Sequence, residues 1–131
     1  MRPVLVFDVV GTLLDLATLD PLFEKYFGNR EFRKQCFSEV LKLTLASTLI
    51  GNYAEFSRIT EAALKVTEIR HGKELKPKAS EEILSALRKL PAFPEVKPAL
   101  ERLRKEGYRI GPNRLPEKTI RHRRASSYFR R

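Results

Sequence analysis

Residues 3–15 read Pro3-Val4-Leu5-Val6-Phe7-Asp8-Val9-Val10-Gly11-Thr12-Leu13-Leu14-Asp15, and this stretch decides the fold. Pro3 to Phe7 is a continuous apolar run containing β-branched Val4 and Val6. A strand apolar on both faces suits the centre of a parallel sheet covered by helices, so the run predicts a buried strand. It ends at Asp8, and Val9-Val10-Gly11-Thr12 follows as a turn with Gly11 as its permissive residue. Open α/β sheets bind ligands at the carboxyl ends of their strands, which singles out Asp8 as a candidate functional residue.

Downstream of this turn the pattern is helical and carries no strand signal. Leu19, Leu22, Phe23, Tyr26 and Phe27 recur at helical spacing, with Gly28 placed to stop the helix. Residues 30–50 continue through Phe32, Cys36, Phe37, Val40, Leu41 and Leu45 to Gly51. A third helix is expected from about Tyr53 to His71, with Phe56, Ile59, Ala63 and Val66 inward. A fourth should be capped by Ser80, with Glu81 and Glu82 in its first turn and Ile83, Leu84, Leu87 and Leu90 as its apolar face. Pro91 to Pro94 reads as a hinge, residues 95–106 as an amphipathic helix ended by Gly107, and Tyr108-Arg109-Ile110 as a second strand. That order makes the fold class α/β, with residues 16–90 inserted as a helical bundle between the first strand and the helix of a parallel sheet. With two strands visible the sheet is marginal, so the core reads as incomplete.

Charge separates the chain into two parts. The formal net charge is +10, yet residues 109–131 hold eight Lys/Arg against Glu117 alone, leaving 18 of the 26 bases and 15 of the 16 acids in the other 108 residues. The excess therefore belongs to the end of the chain, where GPNRLPEKTIRHRRASSYFRR has no apolar period and reads as a disordered basic tail over 113–131. Clustered arginines with Tyr128 and Phe129 are the alternative, nucleic-acid-binding reading; the blander ones are a solvated tail or read-through in a wrong frame. RRASS also resembles a basic-directed kinase site at Ser126 or Ser127, a motif common by chance. The lone Cys36 excludes an internal disulfide framework and reads as a small core hydrophobe. Asp8 and Asp15 interrupt the first apolar run too early for a secretory signal, and no run approaches the roughly 20 residues of a bilayer span, so a cytoplasmic location and no membrane partner are expected. His71 and His122 are too poorly accompanied for a metal site, and His71 reads as a surface histidine near a helix end.

The segment Val6-Phe7-Asp8-Val9-Val10-Gly11-Thr12-Leu13-Leu14-Asp15 resembles the first motif of the haloacid dehalogenase (HAD) superfamily. The stretches LDPLFEKYFG, CFSEVLKLTLASTLIGNYAEFSRITEAALKVTEIRHG and LPAFPEVKPALERLRKEGYRI are similar to its type II 2-haloacid dehalogenase branch, so the resemblance covers about residues 3–110. It implies a partial Rossmann-like core from residues 1–15 and 91–112 and a helical cap from residues 16–90. It implies that Asp8 is a nucleophile forming an ester that water later hydrolyses, that Thr12 orients it, and that Val10 and Gly11 line the substrate. Family phosphatases carry a second Asp two residues after the nucleophile to protonate the leaving oxygen, whereas Val10 stands here; a halide leaves without protonation. The resemblance therefore implies carbon–halide hydrolysis of a small substrate such as a 2-haloacid with no cofactor, magnesium being expected only for phosphatase-like chemistry.

Two departures accompany the resemblance. The family's cap arginine falls on Cys36-Phe37, and nearby Arg33 reads as a solvated helix residue. After GYRI the family continues into a Ser/Thr-Asn motif, then supplies a lysine and further acids; here Gly111-Pro112-Asn113-Arg114 follows, with Asn113 as a remnant at most. Members of such a constellation act as a unit, so a chain truncated after the second strand is expected to be nearly inactive. The alternative is a non-catalytic fragment serving as an interaction module. Apolar surface left uncovered by an incomplete sheet favours self-association, so a homodimer is also expected.

Overall fold

The computed structural model describes residues 3–112. Strand β1 (Val4–Phe7) leads through a turn into a 3-10 segment (Leu16–Leu19), and helices α1 (Asp20–Phe27), α2 (Phe32–Leu49), α3 (Phe56–Arg70) and α4 (Pro77–Leu87) follow. The chain returns through α5 (Val96–Lys105) to β2 (Arg109–Pro112). The strands pair in parallel, with Val4 opposite Arg109, Leu5 opposite Ile110, Val6 opposite Gly111 and Phe7 opposite Pro112. The expected strand–bundle–helix–strand order is therefore present. The basic tail, with Asn113, His122, Ser126, Ser127, Tyr128 and Phe129, lies outside the described residues.

The bundle has its own core. Leu14, Leu16, Leu19, Phe23, Phe27, Cys36, Val40, Ile59, Ala63, Leu64, Ile83, Leu87 and Leu90 form one buried cluster. Phe23 and Phe27 stack at 5.3 Å between ring centroids, an arrangement reached because residues four apart share a helix face. Gly28 ends α1 at φ 76°, where a left-handed residue lets its N–H bond Glu24 O at 2.9 Å. A second, smaller cluster of Leu13, Val96 and Leu100, with Phe7, Val9, Ala92, Phe93, Leu103 and Ile110 packed on it, joins the strands to α5. Glu39 and Glu68 are buried at the α2 and α3 surfaces without being orphaned. Arg70 and Lys42 donate to Glu39 at 2.8 and 3.0 Å, while Lys65 and the Leu75 backbone N–H donate to Glu68 at 2.9 and 3.3 Å.

Several expectations are corrected. β1 is not buried on both faces: Val4 and Val6 are exposed and Leu5 and Phe7 half-buried, because a two-stranded sheet with α5 against it covers one side. Leu41 and Leu45 on α2 are exposed rather than inward. On α3 the inward line takes in Thr60, Leu64 and Thr67 beside Ile59 and Ala63, with Phe56 and Val66 half-buried. Ser80 does not cap α4. The helix starts a turn earlier with Pro77 at its first position, where the missing N–H costs nothing, and this places Glu81 and Glu82 beyond the first turn. β2 extends two residues beyond Ile110, Pro112 closing a strand in which no further donor is required of it. His71 is more than a surface histidine. Its ring stacks on Phe32 at 3.5 Å between centroids and its Nε2 lies 2.8 Å from Gln35 Oε1, tying the end of α3 to the start of α2.

Candidate active site

Asp8 follows β1 directly and is exposed at the carboxyl end of the parallel pair. The turn that carries it is closed by backbone bonds. Val9 C=O accepts from Leu13 N–H and Leu14 N–H, both at 2.9 Å, and Gly11 N–H donates to Leu14 C=O at 3.0 Å. Gly11 sits at φ 87°, a conformation that disfavours any side chain, and an added Cβ would lie 3.3 Å from Leu16 Cδ1. The turn brings Thr12 back over the strand end, where its hydroxyl donates to Asp8 Oδ2 at 2.7 Å. One carboxylate oxygen is thus held by a neutral donor four residues away, which restricts the rotation of the side chain.

Of the residues singled out by sequence, Asp8 and Thr12 are brought into contact. Gly11 lies exposed beside them, and Val10 is half-buried with its side chain packed toward the helical cluster. Val10 is a hydrocarbon and can transfer no proton. Arg33 is not a solvated residue: its Nε pairs with Asp20 at the start of α1, with side chains only 12% and 19% exposed. Cys36 is buried, and burial pushes its thiol up to about 11, so it is a core residue rather than a nucleophile. Among the described residues no group of three or more His, Cys, Asp or Glu is placed to hold a metal ion, and no helix is long and apolar enough to cross a membrane.

The sequence reading missed how the turn is supported from behind. The return segment Pro91–Phe93 runs antiparallel to Leu13–Asp15. Asp15 N–H donates to Pro91 C=O at 2.8 Å, Phe93 N–H donates to Leu13 C=O at 3.1 Å, and Leu14 bridges Ala92. Asp15 also caps the 3-10 segment, its Oδ1 accepting from Ala17 N–H at 2.8 Å. The Asp15-Leu16-Ala17 spacing is a readable capping signal; the pairing with residues 91–93 leaves no mark in local sequence.

No protein-family model matches the chain. Among curated proteins it is similar to an (S)-2-haloacid dehalogenase of Pseudomonas fluorescens, 29% identical over 108 residues that cover 81% of this chain and 48% of the relative. Among solved structures it superposes on the L-2-haloacid dehalogenase from Xanthobacter autotrophicus with TM-score 0.74 and 27% identity, covering 90% of this chain and 49% of that one. A second structure of that enzyme, with chloropropionic acid covalently bound, gives TM-score 0.78 at 23% identity over 98% of this chain and 53% of that one. The chain thus spans about half the length of the relatives it matches, and its helix-rich structure with a short parallel sheet is the dehalogenase fold with a partial core and a helical cap.

Proposed function

We propose that this chain, of haloacid-dehalogenase type by its fold and its relatives, carries at Asp8 the nucleophile of a carbon–halogen hydrolase. The observation that carries the reading is the contact between Thr12 Oγ1 and Asp8 Oδ2 at 2.7 Å at the end of β1. It holds one oxygen and leaves the other to attack. In the proposed reaction that oxygen forms a bond to the halogen-bearing carbon of a small 2-haloacid while the halide departs with the bonding electron pair, giving an ester of Asp8. Water then attacks the ester carbonyl, returning the carboxylate and releasing the 2-hydroxyacid, with one proton passing to solvent. Gly11 and Val10 border the substrate, and no step asks Val10 for a proton or a cofactor for electrons.

Within this reading, residues 1–15 and 91–112 are the core and residues 16–90 the cap, a partition supported by the two separate hydrophobic clusters. A homodimer in the cytoplasm, where a lone thiol stays reduced, completes the proposal. The chain spans about half the length of these relatives; members of a catalytic constellation act as a unit, so Asp8 and Thr12 assayed without the rest are expected to give little turnover.

The experiment is incubation with (S)-2-chloropropionate, reading released halide and mapping covalent adducts by mass spectrometry. The expected result is at most stoichiometric halide, with the adduct confined to Asp8 and lost in Asp8→Asn. An adduct spread evenly over exposed carboxylates, or sustained turnover that survives Asp8→Asn, overturns the reading.

A further inference from the structure

Asp15 is held by three hydrogen bonds at once. Its backbone N–H donates to Pro91 C=O at 2.8 Å, its Oδ1 accepts from Ala17 N–H at 2.8 Å, and its C=O accepts from the Thr18 hydroxyl at 2.7 Å. The first of these has a counterpart across the same peptide group. The amide joining Leu14 to Asp15 gives its N–H to Pro91 and takes Gly11 N–H on its C=O, at 3.0 Å. One rigid plane therefore ties the turn after Asp8 to the return segment, and bonds strung through an amide polarise and strengthen one another. On the turn side Gly11 precedes Thr12, whose hydroxyl holds Asp8 Oδ2 at 2.7 Å.

We propose that Asp15 is a positioning residue for Asp8. The inference rests on the reading of Asp8 as nucleophile and adds to it a residue that never touches the substrate. Asp15 stands at φ −82° and ψ 102°, extended backbone just before the 3-10 segment, whose Leu16 and Leu19 are buried in the bundle. Its carboxylate, bonded to Ala17 N–H, keeps it extended while the next residue turns into the helical region. Lose that acceptor, and Ala17 N–H is orphaned while residue 15 becomes free to join the helical turn. The change of ψ rotates the Leu14–Asp15 plane relative to the buried leucines, and the bonds to Gly11 and Pro91 go with it. The capped segment is only four residues long, so the main thing the cap holds is the turn before it. The role needs an acceptor oxygen on a short side chain and no negative charge, so asparagine is expected to serve where alanine does not.

The test is the rate at which (S)-2-chloropropionate esterifies Asp8 in the 131-residue protein, read by mass spectrometry, beside amide hydrogen exchange read by NMR. Asp15→Ala is expected to slow esterification roughly tenfold, the scale on which small displacements of a reacting group act. The same variant is expected to speed exchange of the Gly11 and Leu14 N–H, and Asp15→Asn to restore both properties. Arg33→Met, which loosens the bundle from outside the turn, is expected to leave both at wild-type values, so a merely structural role for Asp15 predicts no difference between it and Asp15→Ala. Equal behaviour of those two variants, or failure of Asp15→Asn to rescue, overturns the proposal. A wild type that forms no ester refutes the reading of Asp8 instead, and exchange at Gly11 and Leu14 still decides whether Asp15 holds the turn.

Discussion

Arg33→Met is expected to destabilise the fold by about 2 kcal/mol. The guanidinium meets Asp20 with both side chains largely out of water. Breaking a fully buried pair costs roughly 3–5 kcal/mol because the surviving charge is stranded, and a surface pair contributes about 0–1 kcal/mol. Exposures of 12% and 19% place this pair between those limits, and screening by the solvent that remains brings it to about midway. Asp20→Asn should cost slightly more, because Asp20 is also the acid in the first turn of α1 and loses its interaction with the helix dipole, about 0.3–1 kcal/mol. The double variant should cost well below the sum of the two, a coupling of roughly 1–2 kcal/mol. Urea unfolding followed by far-ultraviolet circular dichroism gives all three values, and thermal scans should show Arg33→Met melting about 7–9 °C lower. A loss within about 0.5 kcal/mol for Arg33→Met, or strict additivity in the double variant, would refute the reasoning and return Arg33 to the solvated helix residue that the sequence suggests.

Three further outcomes are expected. Cys36, buried and with its thiol pushed up to about 11 by desolvation, should resist a thiol reagent at pH 8 in the native protein and react at once in urea; native-state labelling at the rate of a free thiol refutes this. Hydrogen bonds from Lys42 and Arg70 hold the Glu39 carboxyl below its ordinary 4.5. Its contribution is therefore fully present above the unfolded value and is lost as pH falls through the lower folded value, so Glu39→Gln should flatten acid destabilisation below about pH 4.5, measured by urea midpoints across pH. Gly11→Ala should cost about 1 kcal/mol or more, since φ 87° disfavours a Cβ and Leu16 Cδ1 must yield at 3.3 Å; an unchanged urea midpoint counts against a strained turn.

What was legible in the sequence was what local chemistry dictates. The apolar run to Phe7, the glycine turn after Asp8 and the arrest of α1 at Gly28 each follow from a residue's own conformational preferences, and each stands in the structure. The start of α4 was misread because Ser80 and Pro77 are both good initiators, and periodicity does not rank them. Arg33 was misread because its partner is 13 residues away on another helix, at a distance where spacing carries no information. α2 was misread for a more general reason. Periodicity finds apolar lines on a helix, but when two lines exist it cannot say which meets the neighbouring helix, and the line through Leu41 and Leu45 is the outward one.

The candidate site was legible as a set of residues and not as a supported geometry. Thr12 reaches Asp8 only because the turn between them is rigid, and its rigidity comes from both sides of the chain. Leu13 is buried in the cluster that joins the strands to α5, whereas the next residue, Leu14, is buried in the cluster of the helical bundle. Leu13 closes the turn and Leu14 makes the bridge to Ala92, so two adjacent leucines anchor two cores at once. The ladder to Pro91–Phe93 fixes that crossing from behind, and Ala92 packs against both clusters. A displacement of the helical bundle relative to the sheet must therefore pass through the backbone bonds at Leu13 and Asp15, a few residues from the hydroxyl that holds Asp8. The turn that carries Asp8 is also where the two hydrophobic clusters meet, so the packing of both clusters bears on the orientation of Asp8, even though no bundle helix supplies the side chain bonded to it.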